Sequence, residues 1–230
     1  MAIFSGDIFA ENYTVSSSVT NVQISSVSGS TKSGDSGDDI HQFTGSLFIS
    51  GSRIDFVDGK SGTKLGKDAG LNTGTGTENT YIGYLAGKGG SGNDAYNTGI
   101  GSFALYAITD GNSNVAVGID VGTALTTGDN NMLIGRQAGN TMTGTSNTIL
   151  IGYGAGTAIN STDADGTVAI GHQAGLAITS GQESVLIGRQ AGQTLTTGDA
   201  NTAVGHYALY HNVTGNYNTA IGRGAGARFL

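Results

Sequence analysis

Residues 201–226 read NTAVGHYALYHNVTGNYNTAIGRGAG, so that NTAVG returns as NTAIG seventeen residues further on. Taking the glycine of each Ile-Gly or Val-Gly pair as a marker extends the pattern backwards. The same unit stands at Gly83, Gly101, Gly118, Gly135, Gly152, Gly171, Gly188, Gly205 and Gly222, with spacings of 18, 17, 17, 17, 19, 17, 17 and 17 residues. A short period held over nine copies is the mark of a solenoid, in which each unit buries its apolar face only by stacking on its neighbours.

Positions in the unit are counted from this glycine, position 0. Position −1 is Ile or Val in all nine copies, and position −3 holds Thr, Val, Met or Ile. The two positions share one face of a strand and are mostly β-branched. Position +3 is Ala in eight copies and Val121 in the other. Position +7 carries Ile108, Leu125, Met142, Ile159, Ile178 and Leu195, which predicts a second, shorter strand. Gly/Asx stretches such as TTGDNN (126–131) close the unit as turns. Seventeen extended residues span about 56 Å, enough for one small coil, with successive coils about 4.8 Å apart as a parallel sheet. Position −4 is Asn, Thr or Ser throughout, from Asn79 to Asn218, and predicts a structural ladder of side chain-to-backbone bonds.

The composition agrees with this architecture. Glycine supplies 41 of 230 residues, and Pro, Cys and Trp are absent. So much glycine disfavours helices, and the missing proline and Gly-X-Y period exclude collagen. Charged residues are only 12 % of the chain, against ordinary charged disorder. A net charge of −7 disfavours nucleic acid as a partner. No apolar run is long enough for a spanning helix, so no membrane insertion is expected. The start, MAIFSGDIFAEN, carries Asp7 and Glu11 where a secretory signal would be apolar.

If positions −1 and −3 face the coil interior, position −2 faces outward. It holds Tyr81, Gly99, Ala116, Leu133, Leu150, Ala169, Leu186, Ala203 and Ala220, none of them charged. A strand apolar on both faces is a strand covered on both sides. In so thin a coil the cover must come from another chain, and cyclic association of parallel copies would provide it.

The stretch NTAVGHYALYHNVTGNYNTAIG resembles the Gly-rich repeats of phage and prophage tail fibres, and VAIGHQAGLA (168–177) is similar to the head repeats of trimeric autotransporter adhesins. The resemblance covers about residues 79–226, with 17 residues per coil, longer than the typical adhesin head repeat. It implies a parallel homotrimer, and the adhesin heads imply a left-handed β-roll with its Val/Ile-rich strand nearest the threefold axis. SSSVT (16–20) and DDIHQFTGSLFISGS (38–52) resemble N-terminal segments of marine-phage structural proteins. An autotransporter is expected to carry a signal peptide and a C-terminal anchor, whereas this sequence ends in GRGAGARFL, which favours the phage resemblance.

The expectation is therefore an all-β chain: a parallel β-solenoid, or β-roll, of nine coils of about 17 residues. It divides into an N-terminal attachment and oligomerisation module (1–66), a Gly-rich linker and cap (67–78) and the repeat domain (79–230). The expected role is a trimeric fibre or spike subunit of a virion. Its partners would be another virion protein through the N-terminal module and a host-surface glycan or protein. A bacterial surface adhesin or self-assembling extracellular filament is the alternative. An ice-binding array is disfavoured because Thr126, Thr127, Thr196 and Thr197 do not recur on every rung.

No enzyme, cofactor or metal site is expected. The Ser, His and Asp residues form no G-x-S-x-G elbow, and His41, His172, His206 and His211 form no H-E-x-x-H. Asp163 and Asp165 in the two-residue insertion STDADG (161–166) lack calcium-loop spacing and predict a bulged surface loop. The candidate receptor or partner patch is His206, Tyr207, Tyr210, His211, Tyr217, Arg223, Arg228 and Phe229, where aromatic rings with polar rims suit sugars or a protein. The same aromatics could instead cap the open end of the solenoid.

Overall fold

A computed structural model describes residues 61–227; the expected N-terminal module up to residue 60, and Arg228 and Phe229 of the patch, lie outside the described residues. The described chain is a single parallel sheet of ten three-residue strands, ordered strictly as in the sequence. They are β1 (Thr63–Leu65), β2 (Thr80–Ile82), β3 (Thr98–Ile100), β4 (Val115–Val117), β5 (Met132–Ile134), β6 (Ile149–Ile151), β7 (Val168–Ile170), β8 (Val185–Ile187), β9 (Thr202–Val204) and β10 (Thr219–Ile221). Register never slips: Thr98 pairs with Val115, Gly99 with Ala116, Ile100 with Val117, and so along the stack. Columns in the sequence alignment are therefore columns in space. Ten strands at the usual spacing rise about 43 Å.

Strand β1 is a rung that the Ile/Val-Gly marker misses, because Leu65 precedes its glycine and Lys64 occupies position −2. Residues 67–78, expected as linker and cap, run from this first rung to β2. The second strand expected around position +7 does not form. Positions +2 and +4 both adopt positive φ, as in Gln137 (+60°) and Gly139 (+57°), and an extended run cannot pass through them. The segment bonds rung to rung all the same: the Leu105 amide donates to the Val121 carbonyl at 3.1 Å and the Ala107 amide to the Thr123 carbonyl at 3.1 Å.

The expected inside and outside of the strand are reversed. Tyr81, Ala116, Leu133, Leu150, Ala169, Leu186 and Ala203 at position −2 are fully buried. They pack with the +3 alanines and the +7 Ile, Leu and Met residues into one core cluster. Positions −1 and −3 point outward, with Ile100, Met132, Ile187 and Ile221 exposed and their neighbours half-buried. The reason is volume. A coil this narrow accommodates Ala or a single Leu at −2 against Ala at +3, but not two β-branched side chains per strand.

Core filling is shared between positions −2 and +4. Where +4 is Leu, at Leu105 and Leu209, position −2 of the same coil is small, Gly99 and Ala203. Where −2 is Leu, +4 is glycine: a Cβ on Gly139 would lie 3.1 Å from Leu150 Cδ1 and 3.3 Å from Leu133 Cδ2. Interiors packed to crystal-like density leave no room for both.

Two polar ladders clamp the turns that precede most of the strands. At position −4 a side chain accepts from the next rung's amide: Asn114 N donates to Asn97 Oδ1 (2.9 Å), Asn131 N to Asn114 Oδ1 (3.0 Å) and Thr148 N to Asn131 Oδ1 (3.0 Å). The Asn131 amide group also donates to the Thr145 carbonyl at 2.8 Å. At position −6 the direction reverses. There Asn112 N donates forward to Asp129 Oδ1 (2.6 Å), Ser146 N to Asp165 Oδ1 (2.7 Å) and Gln182 N to Asp199 Oδ1 (3.1 Å). The insertion at 161–166 is absorbed by a 3-10 turn, Thr162–Ala164, which keeps Ala164 buried and Asp165 in its ladder.

Removing one ladder member tests this arrangement. Asn131→Ala leaves the Thr148 amide and hydroxyl and the Thr145 carbonyl without their partner. We expect a loss of about 2–4 kcal/mol, seen as a lowered chemical-denaturation midpoint. Gln182→Ala, at an exposed position, is expected to stay within about 0.5 kcal/mol of the parent.

Candidate binding facet

Each coil turns at its invariant glycine, and the columns that follow it, +1, +2, +5 and +6, form a facet distinct from the strand face. The side chains here are of another kind. Tyr84, Phe103 and Tyr106 touch edge to face or tilted, with centroids 5.5 Å apart in both pairs, and Lys88 Nζ lies 5.6 Å from the Tyr106 ring. Further along, the Arg136 guanidinium sits 5.8 Å from the Tyr153 ring, which stacks on His172 at 5.3 Å. A third cluster joins Arg189, 5.7 Å from the Tyr207 ring, to His206, Tyr210 and His211. Among the described residues, the ring–ring and cation–ring contacts all fall on this facet.

Five of the eight patch residues come together. His206 stacks on Tyr207 at 4.0 Å, Tyr207 meets Tyr210 edge-on at 5.0 Å, and Tyr210 meets His211 at 4.6 Å. Tyr207, Tyr210, His211 and Arg223, with Gly224 and Ala227, line an open cavity of about 490 Å³. Tyr217 does not join them. It lies in the turn before β10, 81 % exposed, and makes none of these ring contacts. The patch expected from the sequence lies in the last two coils, and the Arg136–Tyr153–His172 cluster extends the same facet upstream. Its signal was present in the mixed Arg, His and Tyr column at +1, but the contacts arise only when +1 of one rung meets +1 or +2 of the next.

Asp68 and Asp120 stand at +2 on the facet in earlier coils, but beyond residue 123 the charges around the coil are segregated. From residue 124 to 227 the carboxylates Asp129, Asp163, Asp165, Glu183 and Asp199 all stand at positions −8 to −5. Over the same stretch Arg136, His172, Arg189, His206 and Arg223 all stand at +1. Among the described residues, no group of three or more His, Asp or Glu side chains is arranged to hold a metal ion. Of the threonines considered for an ice-binding array, Thr126 and Thr196 spend their hydroxyls on the next rung: Thr126 Oγ1 donates to the Thr143 carbonyl and Thr196 Oγ1 to the Val213 carbonyl, both at 2.9 Å. Comparison with protein families, with curated proteins and with solved structures finds no match to this chain.

A buried polar cluster lies away from the facet, within the first coils, and sequence patterning did not reveal it. Asp94, fully buried, accepts from Tyr81 Oη at 2.7 Å and from Asn79 Nδ2 at 3.0 Å, while its Oδ1 has no partner. Lys64, directed into the core column, reaches Thr73 Oγ1 at 3.1 Å. Burial pushes the Asp94 carboxyl up from its ordinary 3.8, against the opposing pull of the Tyr81 hydroxyl and the Lys64 charge. Burial, aided by the Asp94 charge, raises the Tyr81 phenol, so it remains a donor.

The folded chain thus holds the Asp94 proton at pH values where the unfolded chain has released it. This contribution to stability is complete below 3.8 and is lost as pH rises through the raised folded-state value. Asp94→Asn keeps an acceptor for Tyr81 and removes the titration. The variant is expected to gain stability relative to the parent as pH is raised from about 3.5 to 7, measured by thermal melts at intervals. Melting temperatures that run parallel for the two proteins would contradict the assignment.

Proposed function

We propose that this chain is a structural subunit of a virion fibre or spike, a parallel homotrimer that projects from the particle and contributes to attachment at a host surface. The observation that carries the reading is the outward face of the sheet. Two apolar or threonine side chains per strand, from Thr80 and Ile82 to Thr219 and Ile221, form a continuous, mostly β-branched strip along nine in-register rungs. Isolated apolar residues on a surface need no explanation, but a strip the length of the molecule calls for a partner surface. A second copy placed parallel offers the same period, so every rung meets a rung. The count of three comes from the resemblance to trimeric fibre and adhesin repeats, as does the virion setting.

Among the described residues, the repeated columns of the chain serve the fold. Its conserved-looking columns are spent on backbone: the −4 and −6 side chains bond neighbouring rungs, and position 0 is a steric requirement. This is how a scaffold uses its residues, and it supports a non-enzymatic role.

Mass in solution tests the reading. The full chain is expected at three times its own mass, and Ile134→Asp with Ile170→Asp, which puts two charges in the outward strip, is expected at the mass of one chain with an unchanged circular dichroism spectrum. A monomeric parent would sink the proposal. Filaments in a dilute preparation would favour the self-assembling alternative.

A further inference from the structure

We propose that the facet from Arg136 to Arg223 binds an acidic polysaccharide laid along the solenoid axis. The inference deepens the surface-attachment reading and rests on it. Four features of the facet converge on this chemistry.

The cations are available. Among the described residues, no carboxylate pairs with Arg136, Arg189 or Arg223, because the acids of these coils stand in the turn before the strand, where Asp129, Asp165 and Asp199 accept backbone amides. A guanidinium kept off carboxylates and stacked on an aromatic ring is held in place with donors still free for a planar anion. Arg136 over Tyr153 and Arg189 over Tyr207 are arranged in this way.

Rings supply the second element. Tyr153 and His172 are exposed, and His206, Tyr207 and Tyr210 half-exposed, so the apolar faces of sugar rings can lie against them while hydroxyls remain at a polar rim. Gln173, Gln190 and Gln193, bonded to one another at 3.1–3.2 Å, floor the facet between the two ring clusters with amides.

Spacing distinguishes a polymer from a small ligand. Rungs repeat about every 4.8 Å, placing Arg189 some 14 Å from Arg136 and Arg223 some 10 Å beyond it, with an imidazole at the +1 position on two of the intervening rungs. A repeating chain with one anionic group every few ångströms matches that ladder. Duplex DNA, with a charge about every 1.7 Å, does not match that ladder. The open cavity of about 490 Å³ between Tyr207, Tyr210, His211 and Arg223 lies at the Arg223 end of the track, where a sugar ring can rest against an arginine.

The test uses the assembled full chain and three immobilised polymers: alginate as a polyuronate, dextran as its neutral counterpart, and single-stranded DNA. The parent is expected to be retained on alginate, to pass through dextran and to bind DNA at least tenfold more weakly than alginate. Arg136→Gln with Arg189→Gln and Arg223→Gln is expected to lose at least tenfold in alginate affinity with an unchanged melting temperature and oligomer mass. Tyr210→Ser tests the rings and is expected to weaken alginate binding severalfold at constant salt dependence. Equal retention on dextran and alginate, DNA binding as tight as alginate binding, or a triple variant that binds like the parent would each overturn the inference. A trimer that ignores alginate overturns this inference alone, whereas a monomer removes the fibre reading on which it rests.

Discussion

Everything in this molecule depends on the backbone at position 0 stacking on itself from rung to rung. The glycine there has φ between +118° and +143°, beyond the left-handed helical region that side chains such as asparagine tolerate. A Cβ on Gly118 would come 2.8 Å from the carbonyl carbon and oxygen of Gly135 directly beneath it. Both restrictions act on one atom, and together they explain a column that admits no exception. Position +4 also has positive φ, but near +50° to +60°, where an L-residue is strained and not forbidden. Leu105 and Leu209 occupy it at φ +50°, provided position −2 gives up the space. Two glycine columns that look alike in the alignment thus differ physically, one fixed by backbone contact and the other by core volume.

Once that corner is set, the remaining columns have few choices. Strand residues alternate, so −2 goes inward and −1 and −3 outward. The turn before the strand must bring buried amides past a left-handed residue at −5, and the polar ladders at −4 and −6 satisfy them from opposite directions. These ladders also take up three of the acidic residues. Asp129, Asp165 and Asp199 are part of the backbone network, which leaves the corner after the strand to the cations and rings.

The period, the parallel stack and the asparagine ladder were legible in the sequence because each requires one residue type at one spacing. The face of the strand was not, because β-branched residues suit either an interior or a covered exterior, and hydrophobicity does not distinguish them. The deciding quantity was the width of the coil, set by Ala at +3, which leaves a slot for Leu133 or Leu150 and none for the paired β-branched columns. The rung at Thr63–Leu65 was hidden by Lys64 at a core position and Gly62 where asparagine otherwise stands. The patch was visible only in its densest part. Tyr217 seemed to belong to it by sequence proximity, but the corner at Gly222 separates the turn that carries it from the facet.

Reversing the strand faces strengthens the case for association. With −2 outward, the exposed column would have been mostly alanine and leucine, and small residues left bare cost little. With −1 and −3 outward, the column before the glycine is Ile or Val on every rung from β2 to β10, and each of these side chains is half-buried or exposed. Fully burying one such side chain is worth roughly 1.5–3 kcal/mol; these are mostly half-buried already, so each gains less, but the gain repeats along the stack against an orientational cost incurred once. The same reversal separates the two surfaces. Residues that precede the glycine corner are suited to a copy of the chain, and those that follow it carry charge and aromatic faces suited to a ligand of different chemistry. On the proposed reading, a solenoid built on one repeated corner extends both surfaces together, adding one rung of self-association and one rung of recognition with each additional coil.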